Sequence, residues 1–202
     1  RTVFDRWIVS RLQETEHKIA ESLGQYRLDL AAQALYEFVW HHYCDWYLEL
    51  TKPILAESGA SPSTQAATRG TLVRVLETIL RLAHPMMPYI TEALWQQVAP
   101  LAGTQGATIS QAPYPIAQPE RADPEATADV EWLQSIIIAV RTIRGELNVS
   151  PGKAVPLMIR GGSVMDLERL TRLEPLLVPL AKLTSITSLA ADTEVPPAAS
   201  QL

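Results

Sequence analysis

Cysteine is almost absent: Cys44 stands alone among 202 residues, so no disulfide can close within the chain, and no Cys/His set has zinc spacing. The expectation is a reducing compartment and no metal site. Long apolar runs are missing as well. The longest uninterrupted stretch is Ile136–Val140, against the ~18 residues of a membrane span, and no charged-then-apolar leader opens the chain. This reads as a soluble, cytoplasmic protein with no membrane partner. Catalytic signatures are absent too: there is no Gly-rich phosphate loop, no Gly-x-Ser-x-Gly and no His-Glu-x-x-His. His41 and His42 are adjacent, so a helix turns them apart, and Cys44 lies among aromatics, where an apolar setting leaves a thiol inert. No catalytic residue is assigned to the chain.

Charge is sparse and of the wrong sign for a nucleic-acid coat. The 17 Lys and Arg fall short of the 22 Asp and Glu, giving a net charge of -5; any contact with nucleic acid must be local. Arginine dominates lysine, and its planar fork suits phosphate, base and carboxylate. With 47% hydrophobic and 19% charged residues the chain is able to fold, as one domain or two small ones. It begins at Arg1 instead of Met, which suggests a piece of something longer.

The first hundred residues read as successive helices. Phe4, Ile8, Leu12, Thr15, Ile19 and Leu23 keep helical spacing over 3–22, with Gly24 as the left-handed stop. Asp29 is the expected cap of a second helix ending at Pro53, apolar around much of its circumference and therefore central. Its polar stripe is Glu37, His41, Asp45, Glu49 and Lys52, one face by spacing. Ser58–Ser63 reads as a loop. A third helix then runs to Ala83 with Arg74, Glu77 and Arg81 outward, and a fourth starts at Pro88 with Ile90, Leu94, Trp95 and Val98 inward.

From Pro100 to Pro124 the chain reads as an irregular connection, with a possible short strand at Thr108–Gln111. Asp123-Pro124-Glu125 is a strong helix start, and Val130, Leu133, Ile137, Val140 and Leu147 form the inward stripe of the fifth helix. After Pro151-Gly152 come a strand over 154–160, a Ser163/Asp166 capping box, a helix, a second helical piece over Pro175–Lys182 and a strand over Ser185–Leu189. The expectation is mainly α: an antiparallel helical bundle over 1–150, a small, truncated α/β appendage over 151–192 and a disordered tail over 193–202.

Three segments carry a specific resemblance. Ala34-Leu35-Tyr36-Glu37-Phe38-Val39-Trp40 runs into Cys44-Asp45-Trp46-Tyr47-Leu48-Glu49; Leu82-Ala83-His84-Pro85-Met86-Met87-Pro88-Tyr89 opens the fourth helix; and Val140-Arg141-Thr142-Ile143-Arg144-Gly145-Glu146-Leu147-Asn148 closes the fifth. Together they resemble the valyl-tRNA synthetase family of class I aminoacyl-tRNA synthetases, downstream of the catalytic domain. The resemblance covers nearly the whole chain, including Asp5-Arg6-Trp7-Ile8. The His-Pro-Met-Met-Pro-Tyr start is shared by several class I enzymes; the Cys-Asp-Trp-Tyr-Leu-Glu helix favours valine.

The resemblance implies an anticodon-binding bundle that receives the anticodon loop of valine tRNA. ATP and magnesium belong to the parent enzyme's missing catalytic domain, which is a second partner. The fragment itself takes no cofactor, does not aminoacylate alone and is expected to be a monomer. Splayed loop bases stack on aromatic or guanidinium planes and are read along their edges. On that physics Asp45 and Glu49 are candidate acceptors for base amino groups, Lys52 a phosphate contact, and Trp46 a flanking ring. Arg141, Arg144 and Lys153 form a second basic patch, four cations with Arg160 against the single carboxylate of Glu146. The same residues also suit a solvated helix face, and the stripe suits a protein-docking bundle. The equivalent domain of an isoleucine or leucine enzyme is a further alternative.

Overall fold

A capping box launches the first helix. Thr2 Oγ1 accepts the Asp5 amide at 3.2 Å and the Asp5 carboxylate accepts the Thr2 amide at 2.9 Å, so two open donors of α1 (Val3–Gly24) are satisfied together. The computed structural model describes residues 1–56, 60–150, 152–190 and 192–193. Phe4, Ile8, Leu12, Thr15 and Ile19 are all buried, as their spacing requires. The left-handed residue after α1 is Tyr26 (φ 56°), not Gly24, which completes the helix. The Tyr26 ring projects into solvent, clear of the turn, while the Arg27 amide reaches back to the Ser22 carbonyl at 2.8 Å.

The second helical run is not one α-helix. α2 (Leu28–Glu37) passes into a π-helical segment (Phe38–Tyr47) and returns to α geometry in α3 (Leu48–Leu55). Asp29 does not cap it: Arg27 holds the cap position and grips both Asp29 carboxylate oxygens at 2.8 and 2.6 Å. Nor does Pro53 end it; the helix continues two residues because Thr51 and Ile54 are buried, and a proline in a last turn forfeits few bonds. π-Helix usually occurs as single turns, yet here it spans ten residues. The wider turn brings Phe38, Tyr43 and Tyr47, five and four apart, to the buried side.

Ser61 caps α4 (Pro62–Ala83), its hydroxyl accepting the Thr64 amide at 3.3 Å. The helix therefore begins inside the segment read as a loop, of which residues 58 and 59 lie outside the described residues. Glu77 of α4 points inward, against expectation. Its carboxylate is buried because it receives Arg81 Nε and Nη2 at 2.8 and 2.7 Å and the Trp95 indole N–H at 2.8 Å, which offsets its desolvation.

α5 (Pro88–Ala102) runs through Pro100 and stops at left-handed Gly103 (φ 80°), where the Thr104 amide meets the Ala99 carbonyl at 2.8 Å. Thr91, Trp95 and Ala99, four apart, take its inward face. Ile90 and Leu94, one position round the helix, are 55% and 46% exposed instead of buried. Trp95 packs with Leu80, Ala99 and Ile109. Thr108–Gln111 is not a strand: Ile109–Gln111 is a 3-10 turn, because Glu92 captures the Thr108 hydroxyl at 2.7 Å and the Ile109 amide at 3.1 Å.

Side chains of the bundle hold the rest of the connection. Arg81 donates to the Pro113 carbonyl, Tyr114 to the Leu82 carbonyl, and the Gln118 and Asp123 amides donate to Gln13 and Ser10. Glu16 lies buried in the same region. Burial pushes its carboxyl up to about 7, against the opposing pull of Arg81, Arg121 and Gln13. Because the folded value exceeds the unfolded 4.5, the stability linked to Glu16 is complete below the unfolded value and is lost as pH rises through about 7. Glu16→Gln is expected to stabilise the chain by roughly 2 kcal/mol near pH 8 and by little near pH 5. Thermal melts of both proteins at the two pH values check this; an equal gap at both contradicts it.

Asp123 caps α6 (Pro124–Glu146), its carboxylate accepting the Ala126 amide at 2.9 Å. Val130, Leu133, Ile137 and Val140 are buried; Leu147, beyond the helix end, is 53% exposed, not part of the stripe. β1 (Val155–Arg160), α7 (Val164–Ala181) and β2 (Leu183–Leu189) follow, with β1 and β2 paired in parallel from Val155↔Leu183 to Arg160↔Leu189. α7 is a single helix and not two pieces. Pro175 and Pro179 both lie on its solvent side, while Leu170, Leu173, Leu177 and Ala181 keep one buried stripe through them. The molecule is thus mainly helical with a small two-stranded parallel sheet, and divides into compact units Arg1–Thr127 and Ala128–Leu202. The tail over 194–202 lies outside the described residues.

Candidate nucleic-acid interface

In the first unit the polar stripe lies along the π segment and α3. Asp45 is exposed, 3.5 Å from His41 Nδ1. Glu49 accepts the Lys52 ammonium at 2.6 Å, both side chains being exposed. Trp46 is half-buried, whereas Tyr47 beside it is wholly in the core. Glu37 turns towards α1, 3.6 Å from Lys18, and accepts Gln33 at 2.9 Å; the Gln33 bond first, then Lys18, holds its carboxyl below the usual range. The face thus offers carboxylates as acceptors and one flexible ammonium. His42, one residue on, is turned inward against Trp7, ring centroids 5.9 Å apart, and burial pushes its imidazole down. Burial likewise pushes the Cys44 thiol up, so it is a poor nucleophile.

Sequence reasoning missed an aromatic pair on the same helical run. Tyr36 and Trp40 are exposed, with ring planes 5° apart and centroids 6.3 Å apart. Their i,i+4 spacing was visible, but the whole helix was read as central, which hid them.

In the second unit, Arg141 and Lys153 are exposed and Arg144 is half-buried. Arg144 Nη2 donates to the Ser150 and Lys153 carbonyls, so this guanidinium shapes the turn after α6, where Asn148 adopts φ 50°. Asp129 of α6 is buried and held by Arg169 at 3.2 Å and by Arg172 at 2.7 Å to each oxygen.

A cavity of about 370 Å³ beside Trp95, lined by Gln96, Ala99, Pro100, Gly103 and Thr104 among others, has no charged side chain. Among the described residues no group of three or more His, Cys, Asp and Glu is placed to hold a metal ion, and no helix is long and apolar enough to cross a membrane.

A family model described as the anticodon-binding domain of tRNA ligase matches residues 5–159. The chain is 45% identical over 192 residues to a valine–tRNA ligase of Acinetobacter baylyi, an alignment covering 95% of this chain and 20% of that protein. It is 48% identical over 203 aligned positions to a valine–tRNA ligase of Stenotrophomonas maltophilia, covering 100% of this chain and 21% of that protein. The chain therefore spans about a fifth of the length of these curated relatives.

Proposed function

The chain belongs to the family of anticodon-binding domains of tRNA ligases, and on that premise we propose that it is the part of a valine–tRNA ligase that receives the anticodon stem and loop of valine tRNA. The observation that carries this reading is the family match across 5–159, joined to relatives that both bear the name valine–tRNA ligase. In this reading the rest of a longer protein activates valine with ATP and magnesium and joins it to the tRNA. In this reading no step of that chemistry passes through residues of this chain.

Asp45 and Glu49 accept hydrogen bonds from base amino groups, Lys52 leaves Glu49 for a backbone phosphate, and Trp46 gives an edge to the loop. Arg141, Arg144 and Lys153 supply positive charge for the stem. The acidic balance of the chain keeps affinity modest, since association with phosphates needs cations that remain after internal pairing. In the longer protein, contacts made elsewhere on the tRNA raise the effective concentration at this domain. We place it in the cytoplasm as one chain, with the catalytic domain as its neighbour.

An exposed apolar face on α5 favours an additional protein contact: Ile90, Leu94 and Leu101 are 55%, 46% and 74% exposed on one side of that helix. This fits a surface covered by another domain of the longer protein.

Binding of valine tRNA measured across a salt series tests the RNA reading. The affinity is expected to fall as salt rises, and Lys52→Ala to weaken binding while lowering the log–log slope by about one. Absence of RNA binding at any salt, with the protein folded, overturns it in favour of a protein-interaction bundle.

A further inference from the structure

Tyr36 lies in the last turn of α2 and Trp40 in the first turn of the π segment, four residues apart. Their ring planes are 5° from parallel and their centroids 6.3 Å apart, and the residues are 59% and 52% exposed. Neither ring fills the core, to which this stretch contributes Leu35 and Phe38 from neighbouring positions. A single exposed aromatic needs no explanation. Two held in parallel planes are a surface with a defined geometry.

The neighbours hold the pair in place. The His41 ring stands edge-on to Tyr36, 6.3 Å away and at 88°, while Glu37 is engaged by Lys18 and Gln33. The rim of the pair is polar, formed by Gln33, Glu37, His41 and Asp45 on the successive turns of the same run. A protein-docking patch shares the apolar centre and polar rim but is far larger, about 800 Å² per partner, than two rings supply. A small aromatic surface ringed by hydrogen-bonding side chains matches a nucleobase, which has an apolar face and polar edges.

We propose that Tyr36 and Trp40 form a stacking platform for an unpaired base of the bound RNA, an inference that rests on the RNA-binding reading above. The base lies against the aromatic faces, and its edge meets the carboxamide, imidazole and carboxylate groups of the rim. Because every base has a π-face, the platform contributes affinity with little sequence preference; discrimination comes from the rim.

The test uses the full chain and an RNA hairpin carrying the anticodon loop of valine tRNA, with the wild type, Trp40→Ala and Trp40→Phe. The wild type is expected to bind the hairpin, Trp40→Ala to bind about 5- to 100-fold more weakly, and Trp40→Phe to stay close to the wild type because it keeps an aromatic face. Melting temperatures of all three should agree, since Trp40 stands outside the core. Replacing loop nucleotides one at a time by abasic sites should reveal one position at which wild type and Trp40→Ala bind equally. Intact wild-type binding that Trp40→Ala leaves unchanged overturns the platform while the RNA reading stands. A wild type that binds no hairpin overturns both.

Discussion

Asp5→Ala is expected to lower the unfolding free energy by about 4 kcal/mol, shifting the melting temperature by roughly 10 °C. Asp5 is fully buried and serves three elements at once. One carboxylate oxygen accepts the Tyr47 phenol of the π segment at 2.6 Å; the other accepts the Thr68 hydroxyl of α4 at 3.0 Å and the Thr2 amide at 2.9 Å. Removing the carboxylate strands two buried hydroxyls, each costing about 1–3 kcal/mol, and takes away half of the capping box, worth about 1 kcal/mol. Burial, and then the Asp5 carboxylate, pushes the Tyr47 phenol up, so in this account the phenol stays a donor.

Denaturation in urea should show a lower midpoint with an unchanged slope. A double-mutant cycle with Tyr47→Phe should give a coupling of about 1–3 kcal/mol. A loss for Asp5→Ala below about 1 kcal/mol would remove Asp5 from the centre of the bundle.

Trp95→Ala should cost a similar amount, about 4 kcal/mol, by a different mechanism. The indole is 1% exposed, packs with Leu80, Ala99 and Ile109, and donates to buried Glu77. Truncation leaves a cavity and deprives the carboxylate of one of its donors. It also undoes the seat of the connection: a Cβ on Gly106 would meet the indole Cη2 at 3.2 Å, so the chain there lies close over the ring. Proteolysis should accordingly become faster within 103–112 than elsewhere. Trp95→Phe separates the two contributions, since it retains most of the packing and loses the N–H. If Trp95→Ala were to melt with the wild type and resist protease equally, the Trp95 cluster would not be what fastens the connection.

Much of the bundle was legible in the sequence because periodic apolar residues carry it. The α1 stripe, the Ser163/Asp166 capping box and the Asp123-Pro124 start all depend on local chemistry, and all are found where spacing puts them. What spacing could not convey was set by tertiary partners. Glu77 is polar and yet inside because Arg81 and Trp95 converge on it. Ile90 and Leu94 are apolar and yet outside because Trp95, the larger side chain, takes the inward direction. Pro53, Pro100, Pro175 and Pro179 all sit within helices; at Pro53, Pro175 and Pro179 buried residues on either side overrule proline as a stop.

The π segment had the widest consequence. Helical spacing arguments assume 3.6 residues per turn, and Phe38–Tyr47 does not keep it. Along the polar stripe Asp45 pairs with His41 and Glu49 with Lys52, neighbours that the spacing already sets together. The Tyr36–Trp40 surface is not marked by spacing, because a helix apolar around much of its circumference does not show which rings stay outside. Arg144, a member of the basic patch by composition, sends two of its hydrogen bonds to the carbonyls of the following turn.

The most direct test of the central claim compares valine tRNA with the same tRNA altered only in its anticodon, titrated against this chain at one fixed low salt concentration. The unaltered tRNA is expected to bind more tightly, by about 5- to 150-fold for each base edge that is read, at roughly 1–3 kcal/mol per contact. Equal affinity for the two would contradict anticodon reading by this chain.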